Sequence, residues 1–98
     1  MTEDELLLAM KGLNGFEYNH LKTVEELAEL SEVLMKKVLK MGGPKEPDDQ
    51  SIIDEIGDVE IRLRILRSIY DSGKIDKRVR DKLSKFEEYY TTQRYTHI

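Results

Sequence analysis

Apolar residues recur along this chain at helical spacing, and punctuation between them marks four helices. Thr2 and Glu5 form a capping box ahead of Leu6, Leu7, Leu8, Met10 and Leu13. Gly12, Asn14 and Gly15 end that first segment. A second helix runs from Asn19 or Thr23 to about Met41, where "GGPKEP" stops it. Ser51 with Asp54 opens a third helix to about Tyr70, ended by "DSGK". The fourth carries Ile75, Val79, Leu83, Phe86 and Tyr90, at spacings of four, four, three and four. No segment alternates as a strand does and no internal repeat is present. The fold class expected is all-α, a four-helix chain forming one domain over residues 1–98.

A helical wheel at about 100° per residue sorts the charged positions. On the second helix, Leu27, Leu30, Leu34, Val38 and Met41 share the expected core face. One flank carries Glu26, Glu29, Val33, Lys37 and Lys40, joined by Asn19 and Lys22 if the helix starts early. Glu25 and Glu32 point away. On the third helix, Ile52, Ile56, Val59, Leu63, Leu66 and Tyr70 form the core face, flanked by Glu55, Asp58 and Arg62 and then by Ile65 and Ile69. Each helix therefore offers two carboxylates three residues apart, which are surface neighbours, with basic residues further along the same stripe.

Carboxylates gathered beside a core repel one another and lose hydration. A hard divalent cation offsets both effects, since Mg2+ prefers oxygen ligands and keeps water and substrate phosphates in its shell. Mn2+ can substitute. Lys37, Lys40 and Arg62 are then placed for phosphate oxygens the metal does not cover. For the two pairs to meet, the 42–50 connection must fold back along the second helix by roughly 12 Å, within the reach of nine residues. A tight hairpin would keep them apart.

Composition narrows the classes. The chain has 98 residues, 37% of them charged and 39% hydrophobic, so its core is modest and association is expected to supplement it. A net charge of -4 argues against a dedicated nucleic-acid binder. The basic run "KIDKRVRDKLSK" is interrupted by Asp76 and Asp81 and reads as a solvated face. The absence of cysteine excludes disulfides and thiolate metal sites. There is no membrane-length apolar run, and "MTEDELLLAM" makes a poor signal peptide, so the expected location is cytoplasmic.

The elements "EELAE" (Glu25 to Glu29) and "EIGD" (Glu55 to Asp58), 25 residues apart, resemble the EExxE and ExxD motifs of the MazG-like all-α nucleoside triphosphate pyrophosphohydrolases. "DEIGDVEIRLRIL" is similar to that family's third helix, and the resemblance covers roughly residues 16–70. It implies a helical bundle completed by dimerisation, as a homodimer or a dimer of dimers. The implied activity is Mg2+-dependent hydrolysis of (deoxy)nucleoside triphosphates to nucleoside monophosphate and pyrophosphate. Glu26, Glu29, Glu55 and Asp58 would be metal ligands, with Glu26 or Glu29 accepting a proton from the attacking water. Asn19 stands where many members carry a glutamine near the base, and its shorter amide leaves that contact open.

Competing readings accompany these. Glu26 completes a capping box with Thr23. Asp58 and Arg62 form an ordinary ion pair four residues apart. Lys37 and Lys40 favour a helix C-terminus in any case. The alternatives to an enzyme are a non-catalytic helical oligomerisation protein, or a nucleotide-binding regulator without turnover.

Overall fold

The computed structural model describes residues 1–41, 43–44 and 47–96. Lys45, a further phosphate candidate, and His97 lie outside them. Among the described residues there is no strand, and the all-α class holds. Three helices are present: α1 (Glu3–Leu39), α2 (Asp49–Ile69) and α3 (Ser72–Thr96). The expected first and second helices are one element, because the chain leaves helical geometry at a single residue. Gly15 takes φ 81°, ψ 169°, and the helix resumes beyond it. That backbone region is open essentially to glycine alone.

The break is held by Asn19. Its amide nitrogen donates to the Gly15 carbonyl at 2.8 Å and to the Lys11 and Met10 carbonyls at 3.4 and 3.5 Å. These are carbonyls that the interruption leaves short of helical partners. Thr2 caps the start of α1, accepting from the Glu5 amide at 3.1 Å. The α2 start is displaced from expectation. Asp48 is the cap and accepts from the Ser51 amide and hydroxyl at 2.9 and 2.8 Å, so the helix opens two residues before Ser51. The ionised carboxylate is the stronger acceptor for the free amides and serves the helix macrodipole as well.

α1 and α2 pack as an antiparallel pair. Lys37 near the end of α1 lies 3.4 Å from Asp49 at the start of α2. At the other end, His20 Nδ1 donates to the Phe16 carbonyl at 2.7 Å, leaving Nε2 to accept from the Tyr70 hydroxyl at 2.5 Å. Beyond the break, Lys11 donates to the Ser68 carbonyl at 2.8 Å and Glu3 pairs with Arg64.

The face that α1 turns to α2 is not the one expected. Asn19, Thr23 and Glu26 are its buried residues, while Leu27, Leu34, Val38 and Met41 are exposed. On α2 the buried residues are Val59 and Ile65, and Ile56, Leu63 and Tyr70 are exposed. α1 and α2 are each other's main partner, and the contact is centred on the polar stripe rather than beside it. On the wheel, the apolar stripe of α1 lies roughly 60° to one side of the line to α2. That of α2 deviates toward the same side, since the helices run in opposite directions. The hairpin thus has two sides. One carries Glu29 and Asp58. The other is an apolar sheet of Leu27, Leu34, Val38, Ile56, Leu63 and Tyr70, along which His20 and Tyr70 bridge the helices.

The molecule is open for its size. Its radius of gyration is 17.9 Å, against about 13 Å for a compact domain of this length. Its accessible surface is 7862 Å2, against about 5,800 Å2 for a compact 11.5 kDa chain. α3 accounts for much of the difference. It leaves α2 after a two-residue bend, and of residues 72–92 only Ile75 is even half-buried.

Candidate metal centre

Glu26 and Glu29 sit three residues apart on α1, and the antiparallel packing brings Glu55 of α2 against them. One carboxylate oxygen from each lies within 4.8 Å of the others. Of the meeting that the 42–50 connection had to permit, the Glu55 half is present and the Asp58 half is not. The earlier start of α2 helps, because it carries Glu55 further along the hairpin from the loop. Glu26 is the most enclosed of the three, at 9% exposure.

Mutual repulsion marks the cluster. Glu29 is held above the usual carboxylate range, first by the charge of Glu26, then by lost hydration and by Glu55. Glu55 is raised as well, chiefly by desolvation and then by the charges of Asp58 and Glu26. Relief on the protein's side is partial. Lys22 sits 3.1 Å from Glu25 and 3.8 Å from Glu26, and the hydrogen bond to Glu25 leads in raising its ammonium above the ordinary lysine value. Buried oxygens of Glu26 and Glu55 (Oε2 in each) have no hydrogen-bond partner. Such atoms cost stability unless something accepts their charge. Three converging carboxylates with unused oxygens form an all-oxygen donor set, the kind a hard divalent cation takes. The residues present fit Mg2+.

The other sequence candidates divide. Asp58 is exposed and outside the 4.8 Å group, although Glu55 feels its charge. Arg62 is enclosed, with its guanidinium carbon 6.0 Å from the centre of the Tyr18 ring and a buried Nη1 that bonds to nothing. An unsatisfied guanidinium nitrogen is suited to an arriving anion. Asn19 is fully buried and its nitrogen is spent on the α1 break, with Oδ1 unpartnered. Lys37 faces Asp49, and Lys40 is exposed at the C-cap of α1. The capping-box alternative for Glu26 has no helix start to serve, because α1 runs through it and the Thr23 hydroxyl donates to the Asn19 carbonyl at 2.7 Å.

The sequence reading missed Tyr18 and gave Lys22, which it placed on the carboxylate stripe, no role. Tyr18 covers Arg62, and Lys22 partly neutralises the α1 carboxylates. The signal was present, since Tyr18, Lys22 and Glu26 follow one another at intervals of four on one helix face. Compared with known proteins, the chain matches no family model, no curated protein and no solved structure.

Proposed function

We propose that this protein is a Mg2+-dependent nucleoside triphosphate pyrophosphohydrolase that releases nucleoside monophosphate and pyrophosphate and works as a homo-oligomer. The observation that carries this reading is the convergence of Glu26, Glu29 and Glu55, two of them with buried unbonded oxygens. The resemblance of "EELAE" and "EIGD" to MazG-like motifs supplies the reaction, and three of the four residues it designates as ligands are those brought together.

Glu26, Glu29 and Glu55 would hold the ion, and Asp58 is the fourth ligand the resemblance designates. Bound there, Mg2+ would neutralise phosphate charge and make a bound water more acidic. Arg62 binds an outlying phosphate oxygen and so orients the chain of phosphates. A carboxylate oxygen of Glu29 or Glu26 takes the proton as the water oxygen bonds to the α-phosphorus, and the α–β bridge bond breaks to release pyrophosphate. The packing of Tyr18 on Arg62 keeps the guanidinium in one orientation. The uncovered apolar sheet lies on the opposite side of the hairpin, so a second copy covering it leaves the carboxylates accessible.

The experiment is a panel of common ribo- and deoxyribonucleoside triphosphates with Mg2+, reading pyrophosphate. Turnover of one or more, lost with chelator, supports the proposal. Pyrophosphate release from none of them sinks it.

A further inference from the structure

We infer that α3 is an association arm, and that its apolar seam is covered by α3 of a second copy running antiparallel to it. This does not depend on the enzymatic reading.

α3 is 25 residues long, about 37 Å, and touches the rest of its own chain only at its start. Val79, Leu83, Phe86, Tyr89 and Tyr90 are all exposed. An isolated helix gains little from its own hydrogen bonds and is stabilised mainly by packing an apolar face. The two-residue bend after α2 directs α3 away from the hairpin, so its own apolar sheet is out of reach. The chain exposes about 2,000 Å2 more than a compact one, a surplus shared between α3 and the apolar side of the hairpin, and covering the α3 seam removes part of it.

The seam itself selects the partner and its direction. Ile75, Val79, Leu83, Phe86 and Tyr90 form a stripe less than 90° wide, enough for one neighbouring helix. Antiparallel pairing about Leu83 sets Ile75 against Tyr90 of the second copy and Val79 against Phe86. Each layer on either side of Leu83 then holds one aliphatic and one aromatic residue, and the helices stay evenly spaced. Parallel pairing stacks valine on valine and phenylalanine on phenylalanine, which wedges the seam open at one end. Charge agrees. Residues 72–85 carry six basic and two acidic side chains, whereas Glu87 and Glu88 follow them. Antiparallel packing brings Glu87 and Glu88 of one helix toward the basic first half of the other, and Arg80 and Glu87 flank the seam on the same side at matching heights, giving two reciprocal pairs.

The test uses the full chain, which has no cysteine of its own. Leu83→Cys, Ile75→Cys, Tyr90→Cys and, as an outward-facing control, Ser84→Cys are each treated with a short bismaleimide. Helicity by circular dichroism confirms that each variant folds. Leu83→Cys is expected to give a covalent dimer and Ser84→Cys none. Ile75→Cys and Tyr90→Cys should each stay single when alone, yet cross-link to one another when co-expressed with different tags. Self-linking of both Ile75→Cys and Tyr90→Cys would show parallel helices and overturn the proposal. So would linking of Leu83→Cys no greater than that of Ser84→Cys, even if light scattering showed a dimer built through the hairpin alone.

Discussion

Glu29 and Glu55 have folded-state pKa values raised by neighbouring carboxylates and lost hydration. Their contribution to stability is therefore present below the unfolded carboxylate value and is lost as pH rises through the folded one. Glu32 and Asp48 act the other way, lowered chiefly by hydrogen bonds from Lys36 and from the Ser51 amide. Their contribution is present above the unfolded value and disappears as pH falls. Comparing Tm of wild type and Glu29→Gln in chelator from pH 4 to 8 isolates the first effect. The two proteins should melt together at the acid end, and the variant should gain the advantage as pH rises. A difference that does not change with pH would mean that the cluster is not strained. Adding Mg2+ at neutral pH should raise Tm of wild type by mass action and leave Glu29→Gln nearly unmoved. In catalysis, Glu29→Gln should lower kcat on the order of a hundred-fold or more. Arg62→Ala should cost roughly 1.5–3 kcal/mol, or about ten- to a hundred-fold in kcat/KM, with metal binding retained. At this scale the sequence was informative about the carboxylates, because helix phase alone puts Glu26 and Glu29 on one stripe. It could not show that Arg62 would lie under Tyr18, since that contact joins residues 44 apart in the chain.

Among the elements, the joint in α1 gives the sharpest prediction. Gly15→Ala forces a side chain into a backbone region reserved for glycine and should destabilise the protein by about 1–3 kcal/mol. Gly12→Ala, three residues earlier in ordinary helix with open space around it, should stabilise it by roughly 0.5–1 kcal/mol. Urea unfolding of the two variants reads both signs, and a destabilised Gly12→Ala would mean that the first half of α1 is not helical. Gly12, Asn14 and Gly15 looked like a terminus because glycine pairs with terminators in most chains. Here the helix bends and continues, since the Asn19 amide satisfies the carbonyls that a true terminus would give to solvent. The α2 cap was misplaced for a related reason. Ser51 and Asp48 are both good caps, and nothing local ranks them. The helical segments were legible, but the expected first and second are one helix, so the count of four was not. Which face of each would meet its neighbour was not, because periodicity identifies an apolar stripe without saying whether this chain or another covers it.

For the whole molecule, Leu27, Leu34, Val38, Ile56 and Leu63 form a sheet on the hairpin side away from the carboxylates, and only Val59 and Ile65 are buried apolar residues among those described. So small an interior is poor support for 98 residues, and light scattering at micromolar concentration should find a dimer or larger. Leu34→Glu places a charge in the middle of that sheet and should weaken association through the hairpin without displacing a carboxylate. The modest core expected from composition is in this sense observed, and the sheet is where a second chain would supply the remainder. The central claim concerns the other side of the hairpin, that Glu26, Glu29 and Glu55 form a Mg2+ site for triphosphate cleavage. Its most direct measurement is pyrophosphate release from a nucleoside triphosphate panel by wild type and Glu29→Gln, with and without Mg2+. The expected result is Mg2+-dependent release by wild type, with one nucleoside monophosphate per pyrophosphate, and loss of nearly all of it in the variant. Release that survives either chelation or Glu29→Gln, or no release from any triphosphate, would contradict the account.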